Sequence, residues 1–234
     1  DPPTAADCCF PAPPVLEFDQ GGTLVGSWGG PGEGYEWPAS NHGIFVDHMD
    51  NVWIGGNGGP DSHLLKFTRY GQFLLQLGRS GGNAGSNDQE NFGRVAKIFV
   101  DPKDNEAYIA DGYLNKRVVV LDAETGAFKR YWGAYGNRPD DGDPGRYDPN
   151  AEPAQQFRNP VHCAELSLDG LVYVCDRVGD RIQVFQKDGT YVEELFVAKD
   201  TLGAGSVWDI AFSRDADQKY IYLADGVNEK VYII

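Results

Sequence analysis

A strand-turn-strand unit recurs four times in this chain, and it constrains the fold more than any other feature. The copies align at residues 51–56, 106–111, 171–176 and 220–225, each followed by a short polar turn and a second strand, at 64–67, 117–121, 181–185 and 230–234. A repeat of this length cannot bury its apolar face alone, so neighbouring copies must pack side by side. The packing of copies also decides which side chains can meet at a common centre.

Around each copy lie two more strands. One precedes it, at 43–46, 97–100, 164–167 and 209–212. The other closes an outer hairpin through Tyr70-Gly71, Thr125-Gly126 or Asp188-Gly189, and an isolated hairpin of the same kind turns at 20–22. Glycine after a polar or aromatic residue supplies the backbone that such turns need. Helical periodicity is absent. Four-stranded units arranged about an axis make an all-β propeller, and the absence of a repeated Gly-His and Trp-Asp signature from blade to blade, the one Trp-Asp pair being Trp208-Asp209 at the opening of a first strand, sets it apart from the WD40 type. Residues 1–14 read as a Pro- and Ala-rich leader and 15–234 as one propeller domain, with long polar insertions at 83–92 and 134–159. The sequence opens on an outer hairpin and stops after the third strand of its fourth unit. It is therefore expected to be part of a longer propeller of five or six blades, since open sheet edges expose unpaired backbone.

With Lys and Arg totalling 20 against 35 acidic residues, the net charge of −15 argues against a nucleic-acid or anionic-membrane partner and allows a cation. No apolar run reaches the roughly 18 residues of a membrane span. Of the four cysteines, Cys8 and Cys9 adjoin in the leader and are expected to bridge rather than bind metal. Cys163 and Cys175 lie on successive strands, near enough to bridge. A two-residue turn after Leu168, however, would set Cys163 opposite Asp176 and point the two sulfurs to opposite faces, so this pairing stays open. Cysteine usage leans towards an oxidising compartment, extracellular or periplasmic.

The chemistry concentrates in two columns at one end of the repeat. The residue before each first strand is His42, Ala96, His162 or Trp208. In a propeller this column rings the axis, so two imidazoles from alternate blades face one channel. A six-bladed ring with His in every second blade would make a three-His metal site with an open position. His48 and His63 lie outside the column and read as surface turn residues. The second column, after each second strand, carries Asp111, Asp176 and Asp225, read as caps of their own turns. Tyr113 and Arg177 stand beside it as a proton-transfer group and an anion clamp, or else as rim residues packing on a neighbouring blade. The acidic stretch 137–146 lacks the spacing of a calcium loop and reads as a solvated loop, one that could lid the channel.

At these residues, over about 40–200, the chain resembles the NHL-repeat propellers, and among them the peptidyl-α-hydroxyglycine α-amidating lyases. Asn41-His42-Gly43 matches one blade opening and Pro160-Val161-His162 another. The frame from Asp111 through Tyr113 and Asn115 to Arg117 matches the blade between them, and Asp176-Arg177 with Arg181-Ile182-Gln183 the blade after. The resemblance implies cleavage of the C–N bond of a peptidyl-α-hydroxyglycine to an amide and glyoxylate. It implies His42 and His162 as zinc ligands, with a third His beyond Ile234. It makes Tyr113 the base, Arg177 the carboxylate or oxyanion partner, and the Ile44 carbonyl a ligand to a structural calcium. A second family Arg, from an earlier blade, and the calcium-binding Asp have no counterpart here. The implied partner is a small peptide or small molecule. The competing expectation is a non-catalytic secreted scaffold that binds a protein or ligand at its channel face. A calcium-dependent lactonase is less consistent with a His, Ala, His, Trp column.

Overall fold

The computed structural model describes residues 11–234, so the expectations for Cys8 and Cys9, and for most of the leader, lie outside the described residues. A hairpin comes first, β1 (Val15–Phe18) and β2 (Leu24–Trp28). Three four-stranded antiparallel blades follow. The first runs β3 (Asn41–Val46), β4 (Asn51–Gly56), β5 (His63–Thr68) and β6 (Phe73–Gly78). The second is β7 (Lys97–Asp101), β8 (Glu106–Asp111), β9 (Arg117–Asp122) and β10 (Phe128–Trp132). The third is β11 (Val161–Leu166), β12 (Leu171–Asp176), β13 (Arg181–Gln186) and β14 (Tyr191–Phe196). A fourth blade has three strands, β15 (Asp209–Phe212), β16 (Ile221–Asp225) and β17 (Lys230–Ile233). The first strands β3, β7, β11 and β15 neighbour one another in that order around the axis.

The core lies between blades. Central strands bury both faces, so they read as continuous apolar runs rather than alternating ones. In β9, Val118 and Val120 pack with Trp132 against Phe157, Val161 and Phe185 of the third blade's side. Val119 and Leu121 pack with Ile98 and Ile109 against Trp53 and Leu64 of the first. The opening hairpin docks in the same way, Val15 and Trp28 on Val52, Ile54 and Phe67.

Two buried ion pairs fasten the interblade loops. Arg117 Nε donates to Asp111 at 2.8 Å, and its other nitrogens donate to the carbonyls of Ser86, Asp88 and Asn91. Arg181 repeats this on Asp176 at 2.8 Å and on the carbonyls of Ala154 and Gln156. This revises the turn-cap reading. Asp111 and Asp176 accept backbone N–H groups from the preceding loops, at Gly93 and Arg158. Only Asp225 caps its own turn, at Val227 and Asn228. The acidic stretch 137–146 is tied down as well: Asp141 accepts the backbone N–H of Ser86 at 3.0 Å and joins the two long loops.

The register of β11 on β12 resolves the cysteine question. Ser167 N–H donates to Leu171 C=O across a three-residue turn, Leu168-Asp169-Gly170, with Gly170 at φ 87°. One residue more in the turn shifts every pairing by one. Cys163 therefore faces Cys175, not Asp176, and the two are disulfide-bonded with Cα atoms 4.8 Å apart. His63 also departs from expectation. It is buried at the start of β5, bonded through Nε2 to the Glu36 carbonyl at 2.6 Å, whereas His48 sits in an exposed turn.

Candidate metal centre

Three consecutive blades bring His42, Tyr113 and His162 together. Both histidines sit where their strands slip register against the next strand, between Asn41 and Ile44 and between Val161 and Cys163. Irregularities of this kind re-aim a side chain out of the sheet alternation. Each ring is then fixed by the following blade at the equivalent column position: His42 Nδ1–H donates to the Ala96 carbonyl at 2.9 Å, and His162 Nδ1–H to the Trp208 carbonyl. A carbonyl only accepts, so both rings are Nδ1-protonated and both Nε2 atoms face the channel.

Tyr113 comes in from the second blade. Its oxygen lies 2.8 Å from His42 Nε2 and 3.1 Å from His162 Nε2, which bounds the separation of the two nitrogens at about 6 Å. The turn that carries it passes against the third blade, and a Cβ on Gly112 would stand 2.0 Å from the Val161 carbonyl oxygen. Asn159 holds the same turn by donating to the Gly112 and Asn115 carbonyls.

One phenolic oxygen thus faces two imidazole Nε2 atoms. Burial, foremost, holds the His162 imidazole down to about 4, with Arg177 and His42 lowering it further against the Trp208 carbonyl bond. The ring is therefore neutral over the working range. Two converging Nε2 atoms, each backed by an Nδ1–H to carbonyl bond, fit the nitrogen ligands that a zinc ion takes.

Arg177 lies with its guanidinium 4.6 Å from the Trp208 ring centroid and 5.8 Å from that of Tyr113, and its Nε is buried without a partner. No carboxylate among the described residues pairs with it, which leaves the cation for an anionic group.

Ile44 pairs with Ile54 in the first blade, and its side chain joins Val15, Trp28 and Val52 in a cleft under the opening hairpin. The axial carboxylates that follow the imidazole column, Glu165 and Asp209, are both taken by Lys97 Nζ, at 2.5 and 2.6 Å. That triad joins the second, third and fourth blades and is a feature that sequence reading missed. Lys97 and Asp209 stand one residue after Ala96 and Trp208, and that offset was its available signal. Asp209 also lies near the Cys163 and Cys175 sulfurs, but disulfide sulfurs are not thiolate ligands.

No protein-family model matches the sequence. The chain is 29% identical over 223 residues to mouse NHL repeat-containing protein 3, covering 92% of this chain and 53% of the relative. It is 30% identical over 161 residues to peptidyl-glycine alpha-amidating monooxygenase B of Xenopus laevis, covering 66% of this chain and 16% of that protein. Among solved structures, a streptogramin B lyase superposes with TM-score 0.52 at 15% identity, over 84% of this chain and 51% of that one. A putative exported protein of Bacteroides fragilis superposes with TM-score 0.51 at 12% identity, over 87% and 52%. The chain thus spans about half the length of the NHL relative and a small part of the monooxygenase. Fold and sequence similarity agree on an NHL-type β-propeller that is similar to part of the peptidyl-glycine alpha-amidating monooxygenases.

Proposed function

We propose that this propeller is a zinc-dependent lyase of the amidoglycolate type, cleaving a peptidyl-α-hydroxyglycine to an amide and glyoxylate. The observation that carries the reading is the meeting of two imidazole Nε2 atoms and a phenol oxygen, supplied by three blades, beside a guanidinium with no carboxylate of its own. His42 and His162 would hold zinc, which when bound polarises the substrate hydroxyl. Arg177 takes the substrate carboxylate. Tyr113 relays a proton: its O–H donates to the departing nitrogen as its oxygen takes the proton of the substrate hydroxyl, which leaves the phenol as it began. The C–N bond breaks with its electron pair going to nitrogen, and the deprotonated oxygen becomes the aldehyde oxygen of glyoxylate. The atoms balance without water. The Cys163–Cys175 disulfide supports an oxidising compartment, extracellular or periplasmic.

The test is glyoxylate release from an N-acyl-α-hydroxyglycine by the zinc-supplemented chain. Release above the spontaneous rate in wild type, lost in His42→Ala and His162→Ala, is expected. A zinc-loaded wild type no faster than the blank overturns the reading.

A further inference from the structure

A fully buried carboxylate at the junction of the third and fourth blades has one oxygen with no partner. Asp180 ends the turn Arg177–Gly179, and its Oδ2 is bonded to nothing. Its Oδ1 accepts the Ser206 backbone N–H at 2.7 Å and lies 3.0 Å from Ser206 Oγ, which also lies 2.5 Å from the Val197 carbonyl. Ser206 Oγ has one proton and faces two acceptors, so an ionised Asp180 leaves one of these contacts between lone pairs. A neutral carboxyl resolves the count: Asp180 O–H donates to Ser206 Oγ, and Ser206 O–H donates to Val197 C=O.

The segment held in this way reaches the candidate site. Gly205 runs so close to the turn that a Cβ there would stand 1.9 Å from the Arg177 carbonyl oxygen. Two residues past Ser206, Trp208 supplies the carbonyl that fixes His162 and the ring against which Arg177 lies. We propose that Asp180 is a proton-dependent positioning residue, which when neutral ties segment 203–208 to the third blade and so seats His162 and Arg177. The seating half rests on the zinc-site reading, and the latch itself does not.

The charged surroundings agree. Asp176 of the same blade and Asp225 of the next face Asp180. Arg181 and Arg158 are engaged with Asp176, and Tyr147 of the long loop stands near. Burial, foremost, with Asp225 and Asp176 adding to it, pushes the Asp180 carboxyl up to about 6 against the bond from the Ser206 backbone N–H. A raised carboxyl stabilises the fold below its unfolded value of 3.8, and that contribution is lost as pH rises through about 6.

Amide hydrogen exchange of the whole chain, corrected for intrinsic rates, reads the latch. Between pH 5 and pH 7.5 the 203–208 segment of wild type should lose about tenfold more protection than that of Asp180→Asn, a change of the size set by roughly one pKa unit. Equal pH dependence in the two proteins overturns the proposal. Ser206→Ala keeps the carboxyl but removes the hydroxyl that accepts the Asp180 O–H only in the neutral form, so it should move the transition to lower pH even if Asp180→Asn does not fold. An unmoved transition overturns the assignment. Zinc(II) titration by calorimetry at both pH values reads the seating: wild type should lose severalfold affinity relative to Asp180→Asn at pH 7.5, and equal affinities overturn the coupling. Zinc binding to neither protein, with the exchange difference intact, refutes the metal-site reading and the seating half together and leaves the latch standing.

Discussion

Replacing Arg181 by Met should cost this fold far more than the loss of a surface charge. The side chain is 2% exposed. Its Nε donates to Asp176 at 2.8 Å, one Nη to the Tyr135 hydroxyl at 2.7 Å, and the other to the Ala154 carbonyl at 2.8 Å. Met fills much of the volume but leaves Asp176 Oδ2 and the Ala154 and Gln156 carbonyls without the donors that Arg181 supplied, with only the Arg158 N–H still on the carboxylate. Burial already pushes the Asp176 carboxyl up, so without the guanidinium it takes a proton rather than stay charged. Breaking a buried pair in this way costs about 3–5 kcal/mol, and at about 2–4 °C per kcal/mol for a domain of this size the melting temperature should fall by about 10 °C. The loop freed is the one that leads through Asn159 and Pro160 to His162, so zinc affinity should fall with it. Calorimetric unfolding at neutral pH measures the first effect. The double variant Arg181→Met, Asp176→Leu, which leaves no unpaired charge, should recover part of the loss. A drop below about 3 °C in the single variant, or a double variant worse than the sum of the singles, would refute the argument that these pairs hold the loops. Arg69→Met, which removes the exposed pair with Glu17, is the control and should leave the transition unmoved.

Gly112→Ala drives a methyl to within 2.0 Å of the Val161 oxygen, so it should displace Tyr113 from the imidazoles and abolish lyase activity. Activity within about twofold of wild type would show that the turn tolerates a Cβ. Tyr113→Phe keeps the ring and loses the phenolic oxygen, and should lower kcat by about 10²–10⁴ with KM little changed. Equal losses in both would reassign the residue to packing. Arg130, foremost, with Lys129 and Tyr108 bonding alongside, holds the Glu106 carboxyl down to about 2 from 4.5. Its stabilisation is therefore present above about 4.5 and lost as pH falls towards 2. Glu106→Gln should flatten the acid limb of the stability curve between those values, and an unchanged limb would assign acid unfolding to other carboxylates.

Much of the architecture was legible because the repeat carries it. The apolar strands, the turns at Tyr70-Gly71, Thr125-Gly126 and Asp188-Gly189, and the His42, Ala96, His162, Trp208 column are all read from spacing, and the blades follow that spacing. What spacing could not give was contact across the axis. The turn at Leu168-Asp169-Gly170 takes three residues where two also fit the pattern, and that single residue decides whether Cys163 meets Cys175 or Asp176. His63, after Pro60, Asp61 and Ser62, has the look of a turn. Only the Glu36 carbonyl, 27 residues earlier in the chain, explains its burial. Asp111 and Asp176 resemble turn caps in one dimension, and their partners at Gly93 and Arg158 lie in loops whose path no local motif encodes.

The column has a meaning that its side chains alone conceal. Ala96 and Trp208 seem to interrupt a ring of histidines, yet each offers the backbone carbonyl that orients the imidazole of the preceding blade. A His at either position would not improve the site, because the position's work is done by main chain. Alternation of His with non-His is then a division of labour between blades: odd blades present Nε2 atoms to the channel, and even blades hold the rings that carry them. One residue further along, the roles reverse, with Lys97 of the second blade reaching Glu165 of the third and Asp209 of the fourth. The channel is crossed from the first blade to the third at one level and from the second to the fourth at the next. Any blade that shifts therefore disturbs both levels, and the position of the imidazoles is a property of the whole arc rather than of the loops that bear them.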